Sequence, residues 1–169
     1  MLTQLARVKS LIDDSDGCEE LVQEAEALAG DDSPVRVRVG LERGRKLRSS
    51  GNGAAAAAVF ESAFERAADI GEYWFAGDAA HMVAISVPEK MVEWTDRGLA
   101  LAESQPDAAY WAGPLLNNLG WHSYDAGDYE QALDVFERAL EVRKRDPDNA
   151  QAIAWAEEAV AEARKAIMS

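Results

Sequence analysis

The segment Gly113–Arg145, GPLLNNLGWHSYDAGDYEQALDVFERALEVRKR, decides the fold of this 169-residue chain. Leu116 and Gly120 precede a Gly127-Asp128 break, and Ala132, Phe136 and Ala139 follow it at helix-face spacing. The pattern predicts two helices joined by a tight turn. Ala132 and Ala139, seven residues apart, share one face of the second helix, and Phe136 fills the gap between them. Gly120 lets the partner helix approach its backbone where a side chain would hold it off.

The same arrangement occurs earlier at one constant shift of 76 residues. Gly44 matches Gly120, Gly51 matches Gly127, and Ala56, Phe60 and Ala63 match Ala132, Phe136 and Ala139. Because 76 is twice 38, a middle unit is expected near Glu72 to Ala102. Its first helix offers Ala76, Ala79-Ala80 and Val83, and its second Thr95, Leu99 and Ala102.

Helix punctuation agrees along the whole length. Asp14, Ser15 or Asp16 can cap a helix reaching about Ala29, with Gly30 beyond it. Ser33-Pro34 opens a helix to about Ser49, and the next runs from Ala54 to Ile70 and stops at Gly71. Ser86-Val87-Pro88-Glu89 has the form of a capping box. Asp107, Gly127-Asp128 and Pro147-Asp148-Asn149 mark further boundaries. The expectation is an all-α chain of about nine helices.

These residues resemble the tetratricopeptide repeat, in which the first helix carries a small residue near a large one and the second carries Ala, an aromatic and Ala. The resemblance covers Gly113–Arg145 and Val37–Ile70, and more loosely Tyr73–Glu103. Ser123 departs from it, standing where an aromatic is usual, with Tyr124 adjacent. The resemblance implies a right-handed α-solenoid of stacked antiparallel helix pairs, forming one domain over residues 1–169. Within it a degenerate N-terminal pair would span 1–30, repeats 34–70, 71–105 and 107–145, and a capping helix 148–168. Each pair alone cannot bury its apolar face, so stacked neighbours complete the core.

Composition narrows the function. Apolar residues make up 48% of the chain, and charged residues at 28% are interleaved with them, which suits a folded domain. A net charge of −14 repels nucleic acid and anionic membrane surfaces. The longest apolar run, Ala54 to Phe60, is far short of a membrane span, and Arg7 and Lys9 interrupt the apolar pattern where a signal peptide would need it. The one cysteine, Cys18, allows no internal disulfide and suits a reducing cytoplasm.

Catalytic and metal motifs fail on spacing. With Gly17 at the sixth place of a calcium loop, the first and last ligand positions would be Ile12 and Gln23. His81 and His122 are far apart, and the glycines form no nucleotide loop. The expectation is a non-enzyme without metal or cofactor.

The resemblance places the first helix of each pair along a concave groove that receives a partner peptide. On that basis Arg38, Leu41, Glu42, Arg45 and Arg48 face the groove from the first full repeat, His81 from the middle one, and Asn117, Asn118, Trp121 and Tyr124 from the last. Arg36, Arg38, Arg43, Arg45, Lys46 and Arg48 supply six of seventeen basic residues within thirteen positions. They read either as a site for an acidic peptide, through paired guanidinium hydrogen bonds, or as a solvated face balancing an acidic molecule. Asn117 and Asn118 can bond any peptide backbone, and Trp121 and Tyr124 add rigid contact area. The other tryptophans, Trp74, Trp94, Trp111 and Trp155, are expected in the core. The function expected is a scaffold that binds a protein or peptide partner, with a self-associating module as the alternative.

Overall fold

Two phenylalanines lie on two glycines, and the helix pairs are built around them. In the computed structural model, which describes residues 1–11, 15–30, 33–146 and 148–169, a Cβ added to Gly44 would stand 2.6 Å from Cζ of Phe60. One added to Gly120 would stand 2.5 Å from Cδ1 of Phe136. Both rings are fully buried, as are Ala56 and Ala132 before them and Ala63 and Ala139 after them. Burying such a ring contributes about 2–3 kcal/mol. The contacts also fix direction. Gly40 meets Ala63 while Gly44 meets Phe60, and Gly113 meets Arg143 while Gly120 meets Phe136. Each pair is therefore antiparallel.

Among the described residues the chain forms nine α-helices and no strand. They are α1 (Leu2–Leu11), α2 (Ser15–Leu28), α3 (Pro34–Ser49), α4 (Gly53–Asp69), α5 (Tyr73–Ala84), α6 (Met91–Ser104), α7 (Ala112–Asp125), α8 (Tyr129–Arg143) and α9 (Ala150–Ile167). Short 3-10 turns cover Pro88–Lys90 and Pro106–Trp111. The chain divides into two compact units, Met1–Val87 and Pro88–Ser169. The division falls between α5 and α6, inside the segment 71–105 expected as one repeat.

Local chemistry explains the helix ends. Ser33 Oγ accepts from the Val35 amide at 3.1 Å, with Pro34 at the first helical position. Asn52 and Asp128 cap α4 and α8, accepting from Ala55 N at 3.4 Å and Gln131 N at 3.0 Å. Gly51 and Gly127, immediately before those caps, have φ of 80° and 81°, where a β-carbon is strained. The expected cap at Asp14 and the break at Pro147 fall outside the described residues, as do the side chains of Ser15, Asp16 and Cys18.

In the first unit Ala6, Val22, Ala25 and Val39 form a cluster that ties α1 and α2 to α3. In the second, α9 lays Ala159, Val160 and Ala163 against Ala132 and Phe136. The outer side of α9 is charged, with Glu157, Glu158, Glu162, Arg164 and Lys165 exposed, as expected of a terminal helix with one wet face.

Two expectations need correction. Ser86 does not cap α6: its hydroxyl donates back to the Met82 carbonyl at 2.6 Å, and Pro88–Lys90 forms a 3-10 turn before α6 begins. The hydroxyl is used by the preceding helix and does not serve the next. Nor do all the tryptophans enter the core. Trp94 is 2% exposed and buried, but Trp74 and Trp155 are 42% and 59% exposed. Helical spacing does not tell which side of a helix a neighbour covers.

Gly120→Ala should lower stability by about 1–3 kcal/mol, because a β-carbon must displace the Phe136 ring. Adding Phe136→Leu should recover part of that loss, giving a non-additive double-mutant cycle in urea denaturation. Strict additivity would show that ring and glycine do not depend on each other.

Candidate functional site

Four of the six basic residues of α3 face carboxylates. Arg36 and Arg43 both reach Glu26 of α2, at 3.1 Å and 2.5 Å, and Lys46 reaches Glu19 at 2.7 Å. Arg45 lies between two acids, with Nη1 donating to Glu42 Oε1 at 2.6 Å and Nη2 to Asp78 Oδ2 of α5 at 2.5 Å. This last group is deep: the Arg45 side chain is 12% exposed and that of Glu42 5%. Burial raises the pKa of Glu42, with Arg45 and Arg7 pulling the other way. Its second oxygen, Oε2, is buried with no hydrogen-bond partner. Arg38 stacks over Phe75, its guanidinium carbon 4.6 Å from the ring centre. These groups border an open pocket of about 290 Å³ whose other lining residues include Thr3, Arg7 and Leu41.

Arg38, Glu42 and Arg45 are thus brought together, as expected from their spacing on one helix. Arg48 is exposed and donates from Nε to the Ile85 carbonyl at 3.4 Å. His81, on α5 as Asp78 is, has its pKa pushed down to about 4, chiefly by burial and further by Arg48 and Arg45, against the opposing pull of Asp78. Glu19, Glu26 and Asp78 were missed from sequence. Their signals were present: an acidic α2 next to a basic α3, and a single Asp inside the Ala-rich run of α5.

The second group lies on α7. Asn117 and Asn118 are half-buried, Trp121 is 37% exposed, and Tyr124 is half-buried one turn further along. Trp121 meets Phe136 edge-on at 5.0 Å and Tyr124 at 5.4 Å. Tyr124 also packs on Tyr129 at 5.1 Å, and its hydroxyl donates to Glu162 Oε1 at 3.3 Å. Ser123, at the place where an aromatic was expected, is 3% exposed and donates to Gln131 Oε1 at 3.1 Å. The buried hydroxyl is satisfied across the helix pair, and Tyr124 supplies the aromatic surface.

Among the described residues, no helix is long and apolar enough to cross a membrane.

Arg45→Met should destabilise the first unit by about 3–5 kcal/mol, because it leaves Glu42 and Asp78 as buried charges without their cation; chemical denaturation measures this. A second outcome concerns pH. The unfolded imidazole of His81 takes up a proton near 6.5, while the folded one resists until about 4. The contribution of His81 therefore falls as pH drops from 6.5 towards 4, by at most about 3 kcal/mol, and is constant above that window. His81→Gln should flatten the difference in stability between about pH 7 and 5; an unchanged difference would assign it to other groups.

Comparison of the chain with known protein families, curated proteins and solved structures gives no significant match.

Proposed function

We propose that this chain is a protein-interaction module of the tetratricopeptide type, a right-handed α-solenoid of helix pairs that holds a partner segment against its first helices. The observation that carries this reading is the strip on α7. Asn117, Asn118, Trp121 and Tyr124 occupy one face, and Trp121 is braced from behind by Phe136 while over a third of it stays exposed. A rigid aromatic beside side-chain amides suits a peptide, giving apolar contact area with backbone hydrogen bonds that do not depend on partner sequence. An acidic partner is less favoured, because four of the six cations of α3, Arg36, Arg43, Arg45 and Lys46, are engaged by Glu19, Glu26, Glu42 and Asp78. Self-association is the second reading, favoured by the exposed Trp155 on α9.

The test is affinity capture from native lysate with the full chain. Asn117→Ala with Trp121→Ala should reduce retention of a specific partner by about tenfold or more. Loss of the edge-on contact with Phe136 and of the buried part of Trp121 should cost about 2–3 kcal/mol of stability, so circular dichroism must show the double variant folded. A folded double variant that captures as much partner as the parent chain would overturn the reading. Light scattering across concentration addresses the second reading: a stable dimer that Trp155→Ser disperses would support self-association through α9.

A further inference from the structure

We propose that the pocket lined by α6, α7, α8 and α9 in the second unit binds an amphipathic monocarboxylate, with the Arg143 guanidinium as its anchor. The pocket measures about 830 Å³, within the range of small-ligand sites at roughly 300–1,000 Å³. It is separate from the α7 strip and does not depend on the peptide-binding reading.

Arg143 differs from the cations that find carboxylates. Arg36, Arg43, Arg45 and Arg164 each form an ion pair within 3.1 Å. Arg143 makes no ion pair or side-chain hydrogen bond among the described residues, although its Nε is buried. Its stem lies along the first turn of α7, where a Cβ at Gly113 would be 3.5 Å from Cγ and 3.6 Å from Cζ and Nε. Burial lowers its pKa, with Tyr110 opposing, yet a guanidinium stays charged at neutral pH. A buried Nε without an acceptor is costly, and a carboxylate matches a guanidinium's planar fork with two hydrogen bonds.

The rest of the pocket defines the ligand. Leu99, Ala102, Leu116, Val142 and Ala152 supply an apolar lining for a hydrocarbon or aliphatic side chain. Glu103, Asp134, Glu137, Glu141 and Asp146 also border the pocket and outnumber Arg138, Arg143 and Arg145, a barrier that grows with each further negative charge on a ligand. One negative charge on an apolar body satisfies both features; phosphate satisfies neither.

Titration calorimetry on the full chain tests this with octanoate, octan-1-ol, inorganic phosphate, and N-acetylated trileucine with a free or amidated carboxyl terminus. At millimolar concentration octanoate or the free-acid peptide should bind, and the alcohol, the amide and phosphate should not. The tighter of the two acids tells whether the carboxylate belongs to a small molecule or a peptide terminus. Arg143→Met, which keeps an unbranched stem against Gly113, should weaken binding about tenfold or more, and Lys165→Met, exposed on α9 and outside the pocket, should leave it unchanged. If circular dichroism shows Arg143→Met unfolded, Leu99→Trp fills the pocket from α6 and should give the same loss. The proposal is overturned if neither acid binds, if the alcohol binds as well as octanoate, or if folded Arg143→Met or Leu99→Trp binds like the parent.

Discussion

In each unit a phenyl ring occupies the space that a methyl group would take on the facing helix. Phe60 lies on Gly44 and Phe136 on Gly120, and each ring follows its helix cap, Asn52 or Asp128, by eight residues. The left-handed glycine, the cap and the ring thus form one device. Gly51 or Gly127 reverses the chain, the next side chain starts the helix, and two turns later the ring arrives opposite the second glycine. The small residues on either side of each ring are buried by the approach the glycine permits. Larger residues there would move the helices apart and open voids that a close-packed interior does not tolerate.

This device was legible in the sequence because both copies carry the same residues at the same spacing. Helix limits followed for the same reason: Ser33-Pro34, Gly51-Asn52 and Gly127-Asp128 act through bonds within a few residues of themselves. Ser86 was misread because its hydroxyl can serve the helix before it or the one after, and spacing does not tell which. Trp74 and Trp155 were misread because exposure depends on which neighbour covers a helix, which periodicity does not encode. The candidate sites divide along the same line. The α7 strip could be read from one helix alone. Arg45 could not, since its partner Asp78 lies 33 residues away.

Charge is distributed with more order than a net value of −14 conveys. Several of the cations sit opposite acids on neighbouring helices, so the basic run of α3 works as an internal counterpart to α2 and α5. The Arg45 group is the tightest case, with two carboxylates on one guanidinium and little solvent. Surface pairs contribute little each, but a buried one strongly penalises loss of a single partner. The proposed partner surfaces lie elsewhere, on the exposed aromatic strip of α7 and in the Arg143 pocket.

Helix α3 is held by two unlike forces in different proportion. Against α4 the attachment is apolar, through Gly44 and Phe60; against α2 the apolar contact of Val39 with Val22 and Ala25 is bordered by ion pairs of Arg43 and Lys46 that are partly open to solvent. Cooling weakens the first kind of attachment, while added salt screens the second and, with sulfate, strengthens the first. The two seams of one helix therefore answer to different solution variables. Sulfate should weaken the ionic border between α2 and α3 while strengthening the apolar contacts that α3 makes with both α2 and α4.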